Sequence, residues 1–132
     1  MSPLIYIIDD DKIFAEALKR KLLIRGFSNI KVCHTADCFI NDLATTPELV
    51  FLDYQIGDSS GIDILQKVKS IIPSDNIIMV SSVESINIID QAKSFGIKNY
   101  IIKGNTRMNT QIDNAIFDLS IKSANQIQTH SF

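Results

Sequence analysis

Short runs of apolar residues alternate with longer amphipathic stretches along the chain. Five runs are rich in isoleucine or other β-branched residues, and all but the second, which contains Lys31, are continuous, as is typical of strands buried on both faces. They lie at residues 4–8, 30–33, 49–52, 77–80 and 100–102. Apolar residues at helical spacing follow each run, such as Phe14, Leu18 and Leu22 after the first. Five repeats of strand and helix predict an α/β fold, with one parallel sheet covered by helices on both faces.

The composition narrows the class of protein. The chain has 132 residues, of which 45% are hydrophobic and 21% charged, so we expect one globular domain of the usual size. The net charge of −2 gives no basic excess for nucleic acid or an anionic membrane. The N-terminal apolar run is short and lacks a basic flank, unlike a signal peptide or a membrane span. We therefore expect a cytoplasmic protein.

The two cysteines, Cys33 and Cys38, lie close together in the sequence. With only His34 beside them they make a poor zinc site. We expect both to be buried thiols in a reducing compartment.

Polar residues come directly after four of the five predicted strands. Asp9 and Asp10 follow the first strand, and Asp53 follows the third. Ser81 follows the fourth and Lys103 the fifth. Singly, these residues could be helix caps, a turn residue and a solvated lysine. Together they meet at the carboxyl edge of the sheet, where crowded carboxylates require a cation such as Mg²⁺ and where Lys103 could balance a phosphoryl group.

Four motifs in this order and spacing resemble the receiver domain of response regulators, the CheY-like family. They are Ile7-Ile8-Asp9-Asp10, Val50-Phe51-Leu52-Asp53, Met79-Val80-Ser81-Ser82 and Asn99-Tyr100-Ile101-Ile102-Lys103. The resemblance covers residues 4–119 and includes Gly61, eight residues after Asp53. It implies a flavodoxin-like (βα)5 fold, a doubly wound five-stranded parallel sheet of strand order 2-1-3-4-5. The receiver domain would span residues 1–122, and the polar tail, residues 123–132, is expected to fray.

The resemblance also implies the chemistry of the site. Asp53 would be the phosphoacceptor and would attack a phosphohistidine on a histidine kinase or a phosphotransfer protein. Asp9 and Asp10 would hold Mg²⁺ together with the Asp53 carboxylate and the main-chain carbonyl of Gln55. The reaction expected is in-line phosphoryl transfer.

Three more residues have roles that the resemblance implies. Ser81 would bond a phosphoryl oxygen, and Lys103 would pair with the Asp53 carboxylate or its phosphoryl group. Tyr100 would be the switch aromatic, turning inward when Ser81 moves. The chain departs from the family at Gly57 and Gly104, where proline is common. We expect a more mobile loop at Gly57 and a trans peptide bond after Lys103.

The function expected is that of a single-domain response regulator. It would catalyse only its own phosphorylation and dephosphorylation. Its output would be phosphorylation-dependent binding of a protein target. That target would dock on the face of helix four, strand five and helix five. One alternative is a phosphorelay shuttle that passes the group to a histidine phosphotransfer protein. A remote alternative is a haloacid-dehalogenase-like phosphatase with Asp9 as nucleophile and Asp11 as acid, although the threonine expected after Asp11 is missing.

Overall fold

A parallel sheet of five strands forms the centre of the molecule. The structure is a computed structural model, which describes the backbone of residues 2–130 and the side chains of residues 2–119. The strands are β1 (Ile5–Ile8), β2 (Ile30–Cys33), β3 (Leu49–Asp53), β4 (Gln55–Ile56), β5 (Ser59–Ser60), β6 (Ile77–Ser81) and β7 (Asn99–Ile102). The central sheet has the order β2-β1-β3-β6-β7 and is parallel throughout, whereas β4 and β5 form a small antiparallel hairpin. When the two hairpin strands are left out and the remaining strands are renumbered along the chain, this order is the predicted 2-1-3-4-5.

Five α-helices connect the strands, and a 3₁₀ turn at Ser74–Asn76 precedes β6. The helices are α1 (Lys12–Ile24), α2 (Ala36–Asp42), α3 (Gly61–Val68), α4 (Ile86–Ser94) and α5 (Met108–His130). Asp11, Thr35 and Ser60 cap α1, α2 and α3, each accepting a bond from a main-chain N–H three residues ahead. Such caps satisfy N–H groups that have no partner inside the helix. A helix long and apolar enough to cross a membrane is not found in the part of the chain that the structure describes.

The sheet separates two hydrophobic clusters, because successive side chains of a strand point to opposite faces. On one face, Tyr6, Ile8 and the alternate residues of β3 and β6 pack against α2, α3 and α4. On the other face, Ile5, Ile7 and the intervening residues pack against α1 and α5. Burial on both faces explains why β1 and the interior of β3 and β6 are apolar, whereas the edge strand β2 carries the exposed Lys31.

The fraying of the polar tail after residue 122 stays a prediction. The backbone of α5 is helical through His130, and Ser131 and Phe132 lie outside the described residues. The segment contains neither glycine nor proline, so nothing in its sequence breaks a helix.

The expectation that both cysteines are buried is wrong for one of them. Cys33 ends β2 and is 2% exposed, whereas Cys38 lies in the first turn of α2 and is exposed. Burial and contact with Cys38 raise the pKa of the Cys33 thiol to about 12. The strand buries Cys33, whereas Cys38 lies in a short surface helix and is an exposed residue.

Candidate functional site

Three carboxylates meet at the carboxyl edge of the sheet. Because β1 and β3 are neighbours with Ile8 paired to Leu52, the chain brings Asp9 beside Asp53 at the strand ends. Each of Asp9, Asp10 and Asp53 offers an oxygen, and these oxygens lie within 4.8 Å of one another. Asp9 is 2% exposed and Asp53 6% exposed, while Asp10 is exposed. The cluster is thus open to solvent on the side of Asp10.

Lys103 supplies positive charge to this cluster. It follows β7, and its Nζ lies 2.8 Å from Asp9 Oδ2 and 3.6 Å from Asp53 Oδ2. Its ammonium also lies over the Phe14 ring, 4.5 Å from the ring centre, which is the geometry of a cation–π contact. Burial opposes the charge of Lys103, but the bond to Asp9 and the charge of Asp53 outweigh it and raise the pKa of the lysine.

The carboxyl group of Asp53 is the most perturbed acid of the site. Burial, followed by the negative charge of Asp9, raises its pKa to about 7. Lys103 acts in the opposite sense, and so does a main-chain N–H bond from Gln55. One lysine therefore does not balance the carboxylates, which is the condition that favours a bound cation.

Main-chain hydrogen bonds fix Asp9 and Asp10. Asp9 Oδ1 accepts from the N–H of Asp11 at 2.9 Å, and the ring of His34 bonds the Asp9 carbonyl through Nδ1 at 2.8 Å. Asp10 Oδ2 accepts from the N–H of Gly57 at 2.9 Å. Gly57 has a φ of +57° in the β4–β5 hairpin. The loop around Gly57, which was expected to be mobile, is thus a paired hairpin. Gly57 donates its main-chain N–H to the Asp10 carboxylate, and a proline at this position would have no N–H to donate.

Gly61 brings α3 against the main chain of Asp53. Its N–H donates to the carbonyl of Tyr54 at 2.5 Å. A Cβ at this position would lie 2.6 Å from the Asp53 carbonyl oxygen. The spacing of Gly61 after Asp53 therefore has a steric reason: only glycine allows this approach without a shift of the backbone.

Ser81 and Tyr100 lie on neighbouring strands beside the cluster. The Ser81 hydroxyl bonds the main chain of Val83, donating to its carbonyl at 3.1 Å and accepting from its N–H at 3.0 Å. The Tyr100 ring packs against the hydrophobic cluster between the sheet and helices α2, α3 and α4. Its buried hydroxyl has no hydrogen-bond partner among the described residues. Burial raises the pKa of Tyr100, and the nearby Ser81 hydroxyl partly offsets this. The hydroxyl is thus already buried in this conformation.

The structure brings together Asp9, Asp10, Asp53 and Lys103, with Ser81 at the end of the adjoining strand. Gln55 lies in β4, where its side chain donates to the carbonyl of Gly57 at 2.7 Å, and the role of its own carbonyl stays a prediction. The described residues contain no cis peptide bond, so the bond after Lys103 is trans, as predicted.

Sequence reasoning missed the roles of His34, Phe14 and Gly57. His34 follows β2 directly, so the rule that ligands bind at strand ends could have found it. The helical spacing predicts Phe14 only as part of an apolar helix face, and only the path of the lysine side chain reveals its contact. The Gly57 N–H is a main-chain group, for which the sequence carries no signal.

A comparison with protein families matches residues 5–120 to the response regulator receiver domain. The match covers most of the chain, and the chain belongs to this family. It is therefore a receiver domain of two-component signalling. The family match favours the receiver over the phosphatase alternative, and Asp11, the proposed acid of that alternative, is the N-cap of α1.

Individual relatives are more distant. The chain is 28% identical over 100 residues to the transcriptional regulatory protein KdpE of Mycobacterium tuberculosis, covering 76% of this chain and 44% of KdpE. The chain thus spans less than half the length of that curated relative. A CheY-like receiver from Methanospirillum hungatei has a TM-score of 0.75 at 21% identity, over 92% of this chain and 99% of that one.

A second similar structure contains a phosphorylated residue and bound ligands. It is a response regulator from Burkholderia pseudomallei with a phosphorylated aspartic acid, a calcium ion and citrate, with a TM-score of 0.72 at 22% identity. The similarity covers 95% of this chain and 75% of that one. In the present protein, the cluster of Asp9, Asp10 and Asp53 has the hard oxygen donors that could bind a metal ion.

Proposed function

We propose that this receiver domain is phosphorylated on Asp53 by a histidine kinase or a phosphotransfer protein, with Mg²⁺ as the cofactor. The observation that carries the proposal is the position of Lys103, whose ammonium lies between the carboxylates of Asp9 and Asp53. Its charge is placed where a phosphoryl group on Asp53 would need it. Asp9, Asp10, Asp53 and the Gln55 carbonyl are the proposed metal ligands.

The side chains divide the work as follows. Asp53 attacks the phosphorus as its carboxylate, and the bond from phosphorus to the donor nitrogen breaks as the new bond to the Asp53 oxygen forms. Lys103 stabilises negative charge on the phosphoryl oxygens, and Ser81 donates a hydrogen bond after leaving Val83. A bound Mg²⁺ would supply further charge neutralisation at those oxygens.

Phosphorylation by a small donor tests the assignment of Asp53. Acetyl phosphate with Mg²⁺ should add one phosphoryl group per chain, and peptide mapping by mass spectrometry should place it on Asp53. Asp53→Asn should remove the adduct, whereas Asp63→Asn, an exposed acid in α3, should not. The same adduct at the same rate on Asp53→Asn would refute the assignment.

Titration calorimetry with Mg²⁺ tests the metal ligands. Mg²⁺ is bound through few carboxylates and keeps several waters. Asp10→Asn removes one charged ligand while keeping an acceptor for the Gly57 N–H, so we expect an affinity at least tenfold weaker. Asp63→Asn serves again as the control. Equal affinity of the Asp10→Asn variant and the wild type would exclude Asp10 from the site.

We further propose that the output is the binding of a protein partner on the face of α4, β7 and α5, in the cytoplasm, without turnover of a substrate. Beside Tyr100, a groove of about 270 Å³ runs between β7 and α5 and includes Asn99 and Gln111. Tyr100→Ala should impair capture of a target by the phosphorylated protein and leave Asp53 phosphorylation intact. Return of the group from Asp53 to a histidine phosphotransfer protein would instead identify the relay alternative.

A further inference from the structure

The two cysteines form a close pair next to the acidic cluster. Their Sγ atoms lie 2.6 Å apart, one at the end of β2 and the other in α2. This separation exceeds a disulfide bond by about half an ångström. These are the only cysteines of the chain. We propose that Cys33 and Cys38 are a redox-active dithiol that a hydroperoxide oxidises to a disulfide, and that this closure is transmitted to Asp9.

Exposure assigns a different role to each sulfur. Cys38 is exposed and can meet a peroxide in solution, whereas Cys33 is 2% exposed and can be reached through Cys38. The sulfur of a surface cysteine without a neighbouring thiol would be oxidised stepwise to sulfenic acid and then to sulfinic acid. Here a second thiol already touches the first, which favours a disulfide.

The chemistry needs one hydroperoxide and two thiols. The Cys38 thiol gives its proton to solvent, and its sulfur attacks one peroxide oxygen. The S–O bond forms, the O–O bond breaks, and the leaving oxygen departs as water or alcohol after protonation. The Cys33 sulfur then attacks Cys38, forming the S–S bond as the S–O bond breaks. Water leaves with the second thiol proton, so two electrons pass from the thiols to the peroxide.

A direct path leads from this pair to the proposed metal site. The carbonyl of Cys33 accepts from the N–H of Asp9 at 3.0 Å, and the next residue, His34, bonds the Asp9 carbonyl at 2.8 Å. Both main-chain polar groups of Asp9 are thus held by the segment that a disulfide would tie to α2. The far end of α2 is anchored where the Tyr6 hydroxyl donates to Asp42 at 2.7 Å. Because α2 is anchored there, closing the disulfide is expected to move the β2 end and with it Asp9.

Oxidation by equimolar hydrogen peroxide tests the disulfide. Free thiols should fall from two to none per monomer, and a reductant should restore both. Cleavage before Asp37 without reduction should leave the two cysteine peptides linked. Cys38→Ser should keep its buried thiol unoxidised, whereas Cys33→Ala should take up oxygen on Cys38. Two persistent thiols, a sulfinic acid on Cys38 of the wild type, or dimers linked by a disulfide would each overturn the proposal.

Mg²⁺ titration of the oxidised and reduced protein tests the transmission, which rests on the proposed metal site. We expect the dissociation constant to differ at least twofold, and no difference in peroxide-treated Cys38→Ser. If the oxidised protein, with its disulfide fully formed, bound Mg²⁺ with the same dissociation constant as the reduced protein, transmission from the disulfide to Asp9 would be refuted. Failure of both forms to bind Mg²⁺ would refute the metal site and the transmission with it, while the thiol count would still decide whether the disulfide forms.

Discussion

At the scale of single residues, the site depends on charges that do not balance. Asp9 is neutralised by Lys103 at 2.8 Å, but Asp53 lies farther from that lysine, at 3.6 Å, and has the raised pKa. Of the two buried carboxyl groups, the one proposed to be phosphorylated thus has the longer ion pair. This follows from packing at the strand ends, because Lys103 contacts Asp9 more closely than it contacts Asp53.

The raised pKa of Asp53 predicts a pH-dependent stability. Its carboxyl titrates near pH 3.8 in the unfolded chain and at about 7 in the folded protein. Between these values the folded state holds a proton that the unfolded state has released, so the free energy of unfolding falls as the pH rises. Asp53→Asn removes this titration and should stabilise the metal-free protein at pH 8 by roughly 1–4 kcal/mol.

Urea unfolding from pH 4 to pH 8 with a chelator measures this difference. The wild type should lose stability across the window relative to Asp53→Asn, and Mg²⁺ should restore stability to the wild type more than to the variant. Parallel profiles for the two proteins would contradict the prediction.

The hydroxyl groups of two buried tyrosines predict opposite effects of the same substitution. Tyr100 Oη is buried without a partner among the described residues, so Tyr100→Phe should leave stability unchanged or raise it by up to about 1 kcal/mol. Tyr6 donates to Asp42 at 2.7 Å, so Tyr6→Phe should cost about 0.5–1.5 kcal/mol. Thermal unfolding of both variants checks this, and a larger loss for Tyr100→Phe would show that its hydroxyl is bonded.

At the scale of elements, the hairpin and the start of α3 position the phosphoacceptor. Gly57 has open space where a Cβ would lie, although its φ is +57°. A Cβ on Gly61, by contrast, would meet the main-chain carbonyl oxygen of Asp53. Gly57→Ala should therefore cost about 1 kcal/mol from left-handed backbone alone. Gly61→Ala should cost about 1–3 kcal/mol from overpacking and should also slow phosphorylation of Asp53.

Chemical unfolding and the acetyl phosphate reaction test this pair of variants side by side. The expected result is a greater loss of both stability and phosphorylation rate for Gly61→Ala. Equal losses for the two variants would mean that α3 can move away from Asp53 without cost.

The sequence predicted the sheet elements better than the connections. All five strands of the sheet are where the apolar runs predicted them, and in β1, β3 and β6 burial on both faces leaves only apolar positions before the strand ends. The β4–β5 hairpin was missed because strands of two residues have no periodicity to detect. Helix α3 ends at Val68, although Ile71 and Ile72 continue the helical spacing toward Pro73. The hydrophobic pattern alone does not show where the hydrogen bonds of a helix stop.

At the scale of the whole molecule, β7 is one of the two edge strands of the central sheet. β7 closes the sheet beside α4 and α5, and Asn99 is exposed there. Lys98, just before this strand, pairs with Asp75 of the same chain at 3.3 Å. Its charge is therefore engaged within the molecule, and the segment 96–99 carries no acidic residue to pair with a second copy.

This distribution predicts that the protein does not form a symmetric dimer through the α4–β7–α5 face on phosphorylation. A symmetric interface uses the same patch twice, so one that is held by charge pairs before β7 needs acidic and basic groups together in that segment. The one basic group before β7 has no acidic neighbour in its own segment and is already paired with Asp75. Sedimentation velocity at micromolar concentration should show monomers with and without acetyl phosphate. A phosphorylation-dependent dimer that Lys98→Glu abolishes, and that Lys31→Glu on β2 at the opposite edge of the sheet leaves intact, would contradict this.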